Sequence, residues 1–285
     1  MTDTFGQRLR DALVKRGPLC VGVDPHAELL GQWGLPDDAT GLERFAQTVV
    51  EAVAGEVAAV KPQLAFFERH GAAGIAVLER TVAAAGAAGA LVVLDAKRGD
   101  IGSTAAAYAD AYLRPGAPLA ADAVTVNPYL GFETLRPFLT LARDGVGVFV
   151  VALTSNPEGA SVQRARAASG RSVAADVCSN VAAENAGTAP YGSVGVVVGA
   201  GQTGFGHGLD QAAGESLAVG GPLLVPGLGA QGGRADDVRR LCTGLREPVL
   251  PSVSRSVLAA GPDAAALRSA ALRHRDDLLA VMPGG

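Results

Sequence analysis

The sequence predicts a (β/α)8 TIM barrel with one additional helix ahead of the first strand. Three observations point there. Short apolar runs recur eight times along the chain, each rich in Val and Leu with little alternation. Such runs suit strands buried on both faces of a parallel sheet. Longer segments with helical spacing separate them, so strand and helix alternate and close by right-handed crossovers. Eight units in 285 residues is about one unit per 35 residues, which fits a barrel better than a doubly wound sheet. No linker of Gly, Ser and Pro character divides the chain, so residues 1–285 read as one domain.

Residues 5–17 form the leading helix. The strands then read LCVGVD (19–24), AAVKPQ (58–63), LVVLDAK (91–97), DAVTVNP (122–128), GVFVVALTS (147–155), SVGVVVGA (193–200), LLVPGLG (223–229) and VLPSVSR (249–255). Between them, Phe45, Val49, Val50 and Val53 share one helical face, as do Leu135, Phe138, Leu139 and Ala142. The Ala-rich stretch Thr81–Ala90 is packed helix, and the Gly-rich stretch Gly199–Gly208 is a loop after the sixth strand.

Hydrophobic residues make up 48% of the chain and charged residues 18%, which excludes disorder. A net charge of −4 argues against nucleic-acid binding as the main activity. Because no run of 18 apolar residues occurs, no membrane span is expected. The first 17 residues mix both charge signs and lack the apolar core of a signal peptide. Cys20, Cys178 and Cys242 are odd in number and far apart, and no Cys/His metal spacing is present. They read as buried apolar residues in a reducing cytoplasm. His26, His70, His207 and His274 stand singly, as surface or supporting residues rather than ligands.

In a barrel the chemistry lies at the C-terminal ends of the strands. Those ends carry Asp24, Lys61, Asp95 with Lys97, Asn127, Thr154 with Ser155, Pro226 to Gln231, and Ser254 with Arg255. One charged pair there is ordinary rim chemistry. Four charged strand ends point instead to a charged ligand, because such groups are costly to bury unpaired. In LDAKRGDIGST (94–104), Asp95 and Lys97 are two apart and so face one side of a strand, and Asp100 follows a turn at Gly99. A lysine between carboxylates stays protonated. It is then a proton donor and not the neutral nucleophile of a class I aldolase. PGLGAQGG (226–233) contains GxGxxG, but only about 50 residues follow, too few for a Rossmann domain starting there. As the seventh barrel loop, with Arg255 from the eighth, it reads as a phosphate site.

These residues resemble the orotidine 5′-phosphate decarboxylase family, in particular its longer bacterial subgroup, over Val21 to Arg255. The family's Asp-x-Lys-x-x-Asp-Ile-x-x-Thr motif matches Asp95, Lys97, Asp100, Ile101 and Thr104. Asp24, Lys61, Ser155 of Ser155-Asn156-Pro157, Pro226, Gln231 and Arg255 match its other site positions, and Asn127-Pro128-Tyr129 is typical of the subgroup. Many relatives have Gly where this chain has Ser254, and the stretch 201–207 has no place in the family pattern.

The resemblance implies decarboxylation of orotidine 5′-monophosphate to UMP and CO2 in pyrimidine biosynthesis, without metal or organic cofactor. Lys97, Asp95, Asp100 and Lys61 would be the catalytic array. Asp24, Ile101, Thr104, Asn127, Ser155, Pro226, Gln231, Ser254 and Arg255 would bind substrate. It also implies a homodimer in which Asp100, Ile101 and Thr104 enter the neighbouring subunit's site. Two other readings stay open. A Mg²⁺-dependent sugar-phosphate decarboxylase or epimerase would share Asp95, Lys97 and Asp100, although Asn127, Ser155 and Gly199–Ala200 are poor hard-cation sites. A non-catalytic nucleotide sensor on the same barrel is the other.

Overall fold

The structure is a computed structural model that describes residues 3–200, 216–230 and 232–282. Among the described residues, eight parallel strands close into a barrel in chain order. They are β1 (Cys20–Val23), β2 (Ala59–Pro62), β3 (Leu91–Arg98), β4 (Ala123–Val126), β5 (Gly147–Leu153), β6 (Val194–Val198), β7 (Leu223–Val225) and β8 (Val249–Val253), and β8 pairs with β1. Seven lie within the apolar runs, and β3 extends one residue past its run to Arg98. The helices Ala39–Val53 and Arg136–Ala142 bury the faces their spacing predicted, Phe45, Val49, Val50 and Val53 in the first and Phe138, Leu139 and Ala142 in the second. The Ala-rich helix spans Gly71–Ala87 and stops short of the predicted Ala90, because residues 88–90 make the turn into β3.

Strand register explains why the runs show so little alternation. Val93 pairs with Ala123, and Ala123 with Gly147. Val197 pairs with Leu224, and Leu224 with Leu250. The side chains of Val93, Ala123, Val197, Leu224 and Leu250, with Cys20, Ala59 and Phe149, form a compact core inside the barrel. The intervening residues, such as Val21, Val60, Val92, Leu94, Val124 and Val126, pack outward into a larger core with the helices. Below the C-terminal mouth both faces of the strands are therefore dry, and both demand apolar residues. Cys20 and Cys178 are buried, and burial pushes the Cys20 thiol up to about 12. The Cys242 side chain lies outside the described residues.

The leading helix, Phe5–Arg16, closes the end of the barrel where the strands begin. Its N-cap is Thr4, whose hydroxyl accepts from the Gln7 N–H and donates to the Tyr191 carbonyl at 2.5 Å. The Phe5 N–H donates to Ser193 Oγ at 3.0 Å, and Arg8 pairs with Asp122 at 2.6 Å. Phe5 and Leu9 are fully buried and belong to the interior core. Phe5 meets Phe149 edge-on at 5.7 Å, a favoured aromatic geometry.

Above that floor the inward-facing rows turn polar. Alternate residues of a strand share a face, so Ala59 is followed by Lys61 and Gln63, Val93 by Asp95 and Lys97, Ala123 by Thr125, and Leu250 by Ser252 and Ser254. The barrel is thus apolar below and charged at its C-terminal mouth. No described helix is long and apolar enough to cross a membrane.

The floor has a measurable share in stability. Phe5→Ala removes a fully buried ring, and urea unfolding is expected to show a loss of about 3–5 kcal/mol. A loss under about 1 kcal/mol, the level of an ordinary surface change, would show that the helix is an ornament rather than the floor.

Candidate active site

A cavity of about 380 Å³ opens at the C-terminal mouth, within the usual range for small-molecule sites. Asp24, Lys61, Asp95, Lys97, Ser155, Pro226, Ser254 and Arg255, all singled out from sequence, come together in its lining.

The centre of the site is the Asp95 carboxylate, and all of its hydrogen-bonding capacity is used. Oδ2 accepts from Lys61 Nζ at 2.8 Å and Gln63 Nε2 at 3.2 Å. Oδ1 accepts from Lys97 Nζ at 2.5 Å and Thr125 Oγ1 at 2.9 Å. The Asp95 and Lys61 side chains are only 8% and 7% exposed, whereas Lys97 is 46% exposed. Burial alone would push the Asp95 carboxyl up, but the Lys61 and then the Lys97 ammonium hold it well below the usual carboxylate range. Burial would likewise lower Lys61, yet Asp95 and then Asp24 hold it above its ordinary value. The site therefore contains a fixed, buried ion pair with a third charged group, Lys97, reaching toward the opening. Such an arrangement can offer a proton and a positive charge to a carbon that gains electrons.

Lys97 adopts φ +47°, a left-handed conformation that costs a non-glycine residue roughly 1–2 kcal/mol. The β3–β4 register shifts between Leu94 and Arg98, and the Lys97 N–H donates instead to Thr125 Oγ1 at 3.0 Å. Asp95 and Lys97 meet as their spacing required. Asp100 does not join them in the same chain. At Gly99 the backbone runs so close to Asn127 that a Cβ would lie 2.3 Å from the Asn127 carbonyl oxygen. The chain turns outward there, and the Asp100 carboxylate accepts the Ile101 N–H at 2.8 Å. Asp100, Ile101, Thr104 and Asn127 lie outside the cavity lining. Ile101 is 61% exposed. Asn127 braces the turn: its N–H donates to the Arg98 carbonyl at 2.8 Å and its Oδ1 accepts from Tyr129 N at 3.1 Å.

Around this centre, Asp24 Oδ1 and Ser254 Oγ are buried at the cavity with no hydrogen-bond partner. Groups of this kind are rarely left unmet in a native protein, which marks them for a ligand. After β5, Gln163 clamps the loop that carries Ser155. Its Oε1 accepts from Thr154 N at 2.9 Å, and its Nε2 donates to Thr154 Oγ1 at 2.7 Å. After β7, Gly227, Gly229 and Gly232 take φ of 98°, 73° and 87°, the region that favours glycine. The Gly229 N–H bonds the Gly233 carbonyl at 2.8 Å and closes the turn. Gln231, His207 and residues 201–208 lie outside the described residues. Arg255 lines the cavity.

Sequence reading missed Gln63, Thr125 and Asn156 as lining residues, and it took His26 for a surface or supporting residue. His26 lines the mouth and packs on Phe66 with ring centroids 4.2 Å apart. The available signal was phase: Gln63 stands two after Lys61, Thr125 two after Ala123, and His26 two after Asp24. Among the described residues, no group of three His, Cys, Asp or Glu is arranged to hold a metal ion.

The ion pair makes a stability prediction. Asp95→Asn leaves Lys61 buried without its main partner, and the expected loss in urea unfolding is on the order of 3–5 kcal/mol. Since the folded-state pKa of Asp95 is depressed, its contribution is complete above the unfolded value of about 3.9 and is lost as pH falls below it. The difference between wild type and variant should therefore shrink below about pH 4. A difference that grows on acidification would contradict the assignment.

The chain matches, over residues 17–270, the family model described as Orotidine 5'-phosphate decarboxylase / HUMPS family. It is 58% identical over 283 residues to the orotidine 5'-phosphate decarboxylase of Salinispora arenicola, covering 99% of both chains. With the protein of the same name from Streptomyces coelicolor it shares 57% over 272 residues, 95% of each. Among solved structures, a Streptomyces avermitilis protein assigned the same activity superposes with TM-score 0.91 at 56% identity, covering 98% of this chain and 96% of that one. The Leishmania donovani OMP decarboxylase gives TM-score 0.74 at 31% identity, over 98% and 99% of the two chains. Matched along nearly its whole length by that family model and by relatives more than half identical to it, the chain belongs to the orotidine 5'-phosphate decarboxylase / HUMPS family.

Proposed function

We propose that this protein decarboxylates orotidine 5′-monophosphate to UMP and CO2 in the cytoplasm, as a homodimer and without a cofactor. The observation that carries the reading is the Lys97 ammonium, 2.5 Å from a buried carboxylate and extended into the cavity. When the C6–carboxylate bond breaks, its electron pair stays on C6 and CO2 departs. Lys97 stabilises that charge and transfers its proton to C6; solvent then reprotonates the amine. Asp95 sits where the substrate's carboxylate approaches, and it holds Lys97 in place. Like-charge crowding there adds ground-state destabilisation, a contested term that the scheme does not need.

The remaining residues bind the nucleotide. Asp24 and Lys61 take ribose hydroxyls, which gives the unmet Asp24 Oδ1 a donor. Ser155 contacts the pyrimidine. Pro226, Gln231, Ser254 and Arg255 hold the phosphate, with the Arg255 guanidinium at the cavity as its charged partner. Phosphate binding energy is then available to lower a barrier at a distant bond. Asp100, Ile101 and Thr104 serve the neighbouring subunit. Their position outside their own chain's cavity and the exposure of Ile101 support this. Asn127 supports the turn that sends them there.

The direct test mixes purified protein with orotidine 5′-monophosphate in EDTA and follows the absorbance change to UMP. Wild type is expected to turn over, and Lys97→Ala to lose at least about 10²–10⁴-fold, the range for a positioned proton donor. Activity lost on chelation and restored by Mg²⁺ would move the reading to the metal-dependent sugar-phosphate class. Absence of turnover would favour the sensor.

The shared site has its own test. Lys97→Ala and Asp100→Ala homodimers are each expected to be nearly inactive. In a mixed dimer one site receives Lys97 from one chain and Asp100 from the other, and the second site carries both defects. Subunit exchange should therefore restore up to about half of wild-type activity per mixed dimer, because the intact site acts independently. No recovery after verified exchange would refute the cross-subunit assignment and leave the decarboxylase reading standing.

A further inference from the structure

We propose that Thr125 is a positioning residue for Lys97, holding the proton donor in its left-handed backbone conformation; this rests on the proton-donor reading of Lys97 given above. Thr125 is 1% exposed and stands on β4 at the inward position above Ala123. A threonine hydroxyl has one proton to give and lone pairs to accept. Here the proton goes to Asp95 Oδ1 at 2.9 Å, and a lone pair accepts the Lys97 N–H at 3.0 Å. Lys97 Nζ reaches the same Asp95 Oδ1 at 2.5 Å. The three residues thus close a ring: Lys97 backbone to Thr125, Thr125 to Asp95, Asp95 to the Lys97 ammonium.

The ring stands where the sheet itself provides no support. Regular β3–β4 pairing lapses between Leu94 and Arg98, so the Lys97 N–H has a side-chain partner in place of a ladder partner. Lys97 sits there at φ +47°. A residue in that region persists only when its surroundings over-determine it. Without the hydroxyl, the Lys97 N–H is unmet and the backbone is free to relax toward extended geometry. That change swings the Cα–Cβ bond and takes the ammonium off the line between Asp95 and the cavity. Thr125 has already committed its only proton, so it has no donor left for a ligand. Its loss should therefore affect the chemical step and not binding.

The experiment compares wild type, Thr125→Val, Thr125→Ala and Thr125→Ser in the full-length protein. Steady-state decarboxylation gives kcat and KM, and calorimetric titration gives the affinity for UMP. The Val and Ala variants are expected to lose about 100-fold in kcat, the order of effect when a reacting group is misplaced by about 1 Å. KM and UMP affinity should stay within about threefold, since the Thr125 proton is already given to Asp95 and no donor to a ligand is removed. Thr125→Ser, which keeps the hydroxyl, should recover most of kcat. A crystal structure of the Val variant, or of the Ala variant if Val does not fold, should show Lys97 φ negative. The proposal is overturned if kcat stays within threefold of wild type, if Ser is as slow as Val, if UMP affinity falls with kcat, or if Lys97 keeps its positive φ. Normal wild-type turnover with any of these results removes only the role of Thr125. Failure of wild type to decarboxylate the nucleotide removes the proton-donor reading and this one with it.

Discussion

A single carboxylate with four donors organises the mouth of this barrel. Asp95 takes two hydrogen bonds on each oxygen, from Lys61 and Gln63 of the β2 end, from Lys97 of its own strand, and from Thr125 of β4. A buried ion usually loses more in desolvation than it gains from one partner. With two ammonium groups and two neutral donors the loss is offset, and the carboxylate stays charged in a place water barely reaches. Three adjacent strands are thereby tied at one point. Lys97 can be strained and half-exposed because Asp95 and Thr125 are neither.

The fold supplies this arrangement by a change of chemistry along each inward row. Small or apolar side chains fill the lower barrel: Ala59, Val93, Ala123, Leu250. Two residues further along come Lys61, Asp95, Thr125 and Ser252. The outward rows stay apolar as far as Ala96 on β3 and Val126 on β4 and anchor the helices. Rigidity below and charge above come from the same alternation of side chains, read from bottom to top.

That alternation also decides what was legible in the sequence. The eight strands could be read because dry surfaces on both sides force Val and Leu runs. Asp95 and Lys97 were legible because charges inside such a run are conspicuous, and the spacing of two placed them correctly on one face. Thr125 and Gln63 carried only the weaker signal of phase, two after Ala123 and two after Lys61, since a Thr or Gln in a strand is not conspicuous as a charge is. His26 stands alone among the histidines of the sequence, and only its position two after Asp24 points to the mouth. Asp100 shows the other limit. The turn at Gly99 ahead of it was legible, whereas the contact of Gly99 with the Asn127 carbonyl that fixes the turn, a feature of two loops and not of one segment, was not.

The helix that floors the barrel also fixes the geography of the chain's start. Thr4 and Phe5 are fastened to Tyr191 and Ser193 at the end where the strands begin, opposite the mouth. Any peptide joined ahead of Thr4, whether an affinity tag, a surface tether or a fused partner enzyme, leaves from the closed end of the barrel. A tethered molecule would present its charged mouth to solution, facing away from the support.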